Sequence, residues 1–204
     1  MLFRSGQHTY ELTAVDSLGN SITVTRTWTV DTAAPTLTLQ QAVGQADPAK
    51  DAAIAFTLSA NEDLAAGTIT ASDFTVTGGG TPTITGSGTT WTVTTTATGQ
   101  GAVTIAPSGT FSVTDLAGNA TTTAGGTDRS VTFDSVAPTL TLQQAAGQAD
   151  PSNSTGIQFT LTASETLDAA TCTSADFTVV NGSISSRSEE HTSELQSHVR
   201  ISYA

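Results

Sequence analysis

One phrase is written twice in this chain. Residues 36–48 read TLTLQQAVGQADP and residues 139–151 read TLTLQQAAGQADP, 103 positions apart. Aligned without gaps, 29 of 47 positions in 31–77 match those in 134–180. Solenoid repeats are shorter, about 20–50 residues, because each unit stacks only on its neighbours. A period of roughly 100 residues is the length of a whole domain with its own core. The chain is therefore expected to fold as copies of one module in series.

Within each copy, apolar side chains recur at every second residue, as a strand with one buried face requires. Leu37 and Leu39 alternate with Thr, and Ile54, Phe56 and Leu58 with Ala, Thr and Ser. The same parity links Phe74 to Val76, Trp91 to Val93, Val103 to Ile105 and Val131 to Phe133. Thr fills the outward positions, where its β-branch favours extended backbone. Gly, Pro, Asp and Asn punctuate the gaps. The pattern predicts seven strands in the complete unit, at 36–41, 53–60, 73–77, 82–86, 89–96, 101–106 and 129–134. Seven short strands in about 100 residues predict an all-β fold, an immunoglobulin-like sandwich of two sheets closing on one core. The Ala-rich stretch 64–72 leaves room for one helical turn at most.

The chain then divides. Residues 6–31 hold the last two strands of one domain, HTYELTAVD and SITVTRTWTV; residues 32–134 form a complete domain; residues 135–186 begin another. Arg26 shares the parity of Ile22, Val24, Trp28 and Val30, which suits a bulge, a sandwich end or a protected edge. The half-domain 135–186, with its apolar face uncovered, is expected to be unstable alone. The tail RSEEHTSELQSHVRISYA, residues 187–204, carries three Glu, two His and two Arg without strand alternation. It resembles a translated sequencing-library adapter, whose start AGATCGGAAGAG encodes Arg-Ser-Glu-Glu. The reverse-complement stretch GTGCTCTTCCGATCT, read from a GTG start, gives MLFRS, the text of residues 1–5. Both ends, 1–5 and 187–204, are expected to be foreign to the fold.

The 18 acidic and 6 basic residues give a net charge of −12. The adapter-like ends take three of each sign, so the balance survives their removal. Such a surface repels phosphates and excludes a nucleic-acid partner. No apolar run is long enough to insert this segment in a membrane. The single Cys172 aligns with Ile69, which points to a small buried hydrophobe rather than a reactive thiol. Between the ends, His8 is the one histidine, so no Ser/His/Asp set forms in residues 32–134. The Gly-rich TGGGTP at 77–82 joins strands instead of opening a helix and does not make a phosphate loop. No catalytic or cofactor-binding residue is expected, and the chain reads as a non-enzyme. Trp28 and Trp91 sit at inward parity, which favours core packing over an exposed sugar-stacking platform.

Four acidic positions recur in both copies: Asp31/Asp134, Asp47/Asp150, Glu62/Glu165 and Asp73/Asp176. In a sandwich, Asp31, Glu62, Asp63, Asp115 and Asn119 are expected at the pole where the chain enters, and Asp47 at the other. Across a junction between modules, Asp47 would approach Asp134 and Glu165. Clusters of hard oxygens suit Ca²⁺, which takes six to eight such ligands. The candidate ligands are Asp31, Asp47, Glu62, Asp115, Asp134 and Glu165. The competing and favoured reading is turn chemistry, since Asp and Asn side chains bond nearby backbone N–H groups.

DTAAP (31–35) and DSVAP (134–138) resemble the linker of bacterial Ig-like repeats. DSLGN (16–20) and DLAGN (115–119) resemble the turn before the last strand of those repeats, and QADP followed by ASDF or SADF completes the pattern. The resemblance covers nearly all of 6–186. It implies tandem modules of a large extracellular or cell-surface protein, often an adhesin, whose partners are neighbouring repeats in the same chain. The implied role is a non-catalytic stalk or spacer; Ca²⁺, if held by the recurring carboxylates, would stiffen its junctions. The alternative is an accessory binding or spacer module of a secreted polysaccharide-degrading enzyme.

Overall fold

The structure, a computed structural model, describes residues 5–168, 170–191 and 195–202, with side chains up to Ile184. Most of the N-terminal adapter-like stretch, residues 1–4, lies outside the described residues. The chain forms two compact units, Met1–Ser135 and Val136–Ala204, divided inside the second linker. The fold is all-β, and its sheets are antiparallel. Among the described residues, no helix is long and apolar enough to cross a membrane.

The first unit opens with a hairpin, β1 (Gly6–Val15) and β2 (Ser21–Val30), paired from Gly6↔Val30 to Val15↔Ser21. Alternation puts His8, Tyr10, Leu12 and Ala14 on one face with Trp28, Arg26, Val24 and Ile22. Thr and other polar residues take the other face. The turn is built by Asp16, whose carboxylate accepts the Leu18 and Asn20 N–H groups at 2.9 and 2.8 Å. Gly19 turns through φ 89°, a conformation that side chains with a Cβ resist.

The rest of the unit carries β3 (Leu37–Gln41), β4 (Ala53–Ala60), β5 (Phe74–Thr77), β6 (Thr83–Ser87), β7 (Thr90–Thr96), β8 (Gly101–Pro107), β9 (Val113–Thr114), β10 (Ala120–Thr121) and β11 (Ser130–Phe133). The seven expected strands are present, each displaced by no more than a residue at its ends. The paired dipeptides β9 and β10 are additions, too short to show a period. One sheet runs β3-β4-β7-β6 and the other β11-β8-β5. Leu37, Leu39, Ile54, Phe56, Leu58 and Val93 from the first meet Phe74, Val103, Ile105, Val131 and Phe133 from the second in one buried cluster. Trp91 packs against its rim and donates its indole N–H to the Gly88 carbonyl at 3.2 Å. The predicted helical turn in the Ala-rich region is a single 3-10 turn, Ala71–Asp73.

The outer edge of β3 is covered. Leu39 N–H bonds to the Gly125 carbonyl at 2.9 Å, Gly125 N–H to Leu37 at 2.7 Å, and Gln41 N–H to Asp128 at 2.7 Å. This strap passes so close that a Cβ on Gly126, at φ 107°, would lie 2.0 Å from the Leu39 oxygen. Arg129 fastens it, donating to the Leu39, Ala124 and Gly125 carbonyls at 3.3, 2.5 and 2.7 Å.

The second unit holds β12 (Leu140–Gln144), β13 (Gly156–Ala163), β14 (Ser183–His191) and β15 (Leu195–Ser202) in one sheet of order β12-β13-β15-β14. Its first pair repeats the register of the first unit: Leu140↔Ala163 and Leu142↔Leu161 match Leu37↔Ala60 and Leu39↔Leu58. The charged tail, expected to lie outside the fold, supplies β15 and most of β14. It pairs with β13 three residues out of step with the repeat. Phe56 faces Val93, yet Phe159 faces Val199 rather than Gln196. The ladder bonds backbone groups, so an open edge of β13 accepts an extended segment whatever side chains it carries. Cys172 is half-buried, unlike buried Ile69 at the matching position.

Candidate metal centre

The linker, the loop after β4 and the β9–β10 turn meet at one pole of the first unit. They bring Asp31, Glu62 and Asp115 together, with one oxygen from each inside 4.8 Å of the others. Asp115 is buried and belongs to the DLAGN turn. Its carboxylate accepts the Asn119 N–H at 2.9 Å and the Asn119 side-chain amide at 2.8 Å, repeating the Asp16–Asn20 arrangement of the first hairpin. The same Asn119 amide reaches the Asp31 carbonyl at 3.2 Å and ties the linker to the turn. Asp31 in turn accepts the Ala33 N–H at 3.0 Å, and Asn61 accepts the Thr36 N–H at 2.7 Å.

Two of these carboxylates act on the proton of the third. Burial pushes the Glu62 carboxyl above the usual range, and the charges of Asp31 and Asp115 push it further. A hydrogen bond to Asp31, which needs the Glu62 proton, adds to the rise. Burial also raises Asp115, but the hydrogen bonds from Asn119, Gly118 and Ala117 outweigh it and hold that carboxyl below its usual value. The pole therefore keeps Asp115 ionised and concentrates negative charge beside a reluctant Glu62. A hard divalent cation satisfies such a donor set better than a soft one, because all three side chains offer only oxygen.

The other candidates stand apart from this group. Asp47 is at the opposite pole, where its carboxylate accepts the Thr132 N–H at 2.9 Å. Asp134 follows β11 and donates its N–H to the Ala49 carbonyl at 2.8 Å. Glu165 lies in the second unit, just after β13. The fourth recurring acid is a cap in both copies. Asp73 accepts from the Thr70 N–H and hydroxyl at 2.7 Å each, and Asp176 from Thr173 at 2.7 and 2.9 Å. Turn and cap chemistry thus accounts for Asp31, Asp73 and Asp115 at the level of individual bonds, Asp47 holds the distant Thr132 instead, and among the described residues the acidic side chains converge in the one triad.

Sequence reasoning missed Arg129 and the strap. One signal was present: Arg26 and Arg129 each stand five residues before the Asp of a linker. Trp28 is on the exposed face of the first hairpin, stacked on His8 at 6.1 Å, and so differs from Trp91. No protein-family model and no curated protein matches the chain.

Proposed function

We propose that this chain is a run of immunoglobulin-like modules from a large bacterial cell-surface or secreted protein, serving as a non-catalytic stalk or spacer in adhesion. The observation that carries this reading is the strand order of the central module. A four-stranded β3-β4-β7-β6 sheet faces a three-stranded β5-β8-β11 sheet, an order that parallels the ABED and CFG sheets of immunoglobulin constant-type domains and supports this reading. The repeated linkers and the matching β3–β4 and β12–β13 registers extend that module along the chain. Acidic, Thr-rich outer faces suit an element that must stay soluble beside its own copies. Asp31, Glu62 and Asp115 supply a hard-oxygen cradle through which Ca²⁺ stiffens the linker against the central module.

Pulling a polymer of residues 32–134 tests the mechanical role. Equal, discrete unfolding steps, each releasing one module, are expected; a featureless extension removes the stalk reading. Recovery of the flanking coding sequence separates its two settings. Many further copies favour a stalk, and an adjoining hydrolase domain favours the accessory module.

A further inference from the structure

The first and last segments of the central module lie side by side and run the same way. Thr38 pairs with Gly125 and Ala49 with Phe133, both in the parallel sense. β3 is an edge of one sheet and β11 an edge of the other, so this contact closes one flank of the sandwich. Two patches of bonds hold it. In the first, Leu39 N–H reaches the Gly125 carbonyl at 2.9 Å, and Gly125 N–H the Leu37 carbonyl and Gln41 N–H the Asp128 carbonyl at 2.7 Å each. The Arg129 guanidinium adds a bond to the Leu39 carbonyl at 3.3 Å. In the second patch, Ala49 N–H reaches the Thr132 carbonyl and Asp134 N–H the Ala49 carbonyl at 2.8 Å each. There the Asp47 carboxylate accepts the Thr132 N–H at 2.9 Å.

The parallel sense decides how such a contact bears load. The chain enters β3 at one pole and leaves β11 at the other, beside Asp47. Tension between the two ends therefore draws the segments past each other along their own length. The bonds of both patches lie largely across that direction, so they share the load and give way as a set. In an antiparallel arrangement both ends would leave at the same pole, and the bonds would open singly. The approach is close because Gly126 carries no Cβ to meet the Leu39 oxygen. Strands such as β4 and β7, interior to the sequence, take the load only after this flank has parted.

We propose that this flank is a shear clamp that sets the force at which the central module yields, with Arg129 and Asp47 as the side-chain fasteners of its two patches. Its use rests on the stalk reading above, since an element of a stalk must hold its length up to a threshold. Forced unfolding is governed by the height of the barrier rather than by equilibrium stability, so it depends on which bonds are loaded first and in which direction.

Optical-trap pulling of the full chain through thiol-linked DNA handles tests this. Thr32, Thr123 and Ala137 are exposed and accept handles, in a Cys172→Ser background. Handles on Thr32→Cys and Ala137→Cys load the two segments in shear. Handles on Thr32→Cys and Thr123→Cys, at the starts of the two parallel segments, peel the strap from β3. The shear direction should give a discrete step at a force several-fold above that of peeling. Arg129→Met and Asp47→Ala should each lower the shear force. Asp47→Ala should leave the peeling force where it is, because its patch is at the far pole. Equal forces in the two directions, an unchanged shear force in both variants, or an Asp47→Ala loss that is the same in both directions overturns the clamp and leaves the stalk reading standing. A shear trace with no discrete step overturns both. The comparison of directions keeps every clamp residue, so it decides the matter even where a variant fails to fold.

Discussion

Leu37 and Leu39 are 5% and 0% exposed in the central module, whereas Leu140 and Leu142, the same residues of the same repeated phrase, are 56% and 52% exposed. Both pairs lie in strands of the same register, on the same parity, facing the same neighbours. The difference is the sheet opposite: β5, β8 and β11 lie over the first pair. Alternation therefore dictates strand, face and register, while burial depends on strands that the sequence places 35 residues or more beyond Leu39. The stabilisation follows the burial, at about 25 cal/mol per Å² of apolar surface removed from water.

The sharpest break of this comparison is one substitution made in both copies. Leu39→Ala should destabilise the central module by about 2–5 kcal/mol, because it empties a fully buried site. Leu142→Ala, in dilute solution, should cost the second unit less than about 1 kcal/mol, as an exposed site does. Urea titration followed by Trp91 fluorescence reports the first, and hydrogen exchange along β13 the second. Equal costs would mean that the two faces are equally covered.

Gly126→Ala should come next. Its Cβ meets the Leu39 oxygen and its φ is 107°, so the strap must shift or detach, with a loss of more than about 1 kcal/mol. Gly147, with open space around its Cβ, gives the control for the positive φ alone. Detachment would show as faster exchange of the Leu39 and Gln41 amides.

The paired turns offer a smaller contrast. Asn119→Ala removes bonds to both Asp115 and the Asp31 carbonyl and should cost about 1 kcal/mol. Asn20→Ala removes only the exposed bond to Asp16 and should cost about 0.3 kcal/mol.

Titration should give the smallest effect. Glu62 has a raised carboxyl pKa in the fold, so its contribution is present below the ordinary Glu value and is lost as pH rises through the folded value. Asp115 and Asp16 are lowered, so theirs is present above the ordinary Asp value and is lost as pH falls through the folded values. Glu62→Gln should therefore raise the melting temperature at neutral pH relative to wild type and remove the loss on the alkaline side of the Glu range. Calcium should raise the wild-type melting temperature over chelator and leave Glu62→Gln nearly unmoved. An identical wild-type value with and without calcium would remove the metal from the triad.

Much of this was legible beforehand, for reasons that particular residues make plain. Ile54, Phe56 and Leu58 announce a strand because a period of two needs only local backbone geometry. The convergence of Asp31, Glu62 and Asp115 follows from which loops share a pole. The strap was not legible, because its backbone bonds, from Gly125 N–H to the Leu37 carbonyl and from Leu39 N–H to the Gly125 carbonyl, carry no side-chain pattern; the parity of Arg26 alone left three explanations open. The pairing of the tail was not legible either, because β15 is joined to β13 through backbone ladder bonds that need no alternation of side chains.

A protein with similar modules in series keeps every module at high local concentration of related strands. Under tension, or during synthesis, an open first strand would then be captured by the neighbour's equivalent strand as readily as by its own. The Gly125–Gly126 passage and the three carbonyls gripped by Arg129 deny that strand a vacant side. In the stalk we propose, a module stretched open would therefore recover its own partners when the load is released, and the length of the string would be reversible rather than a record of past pulls.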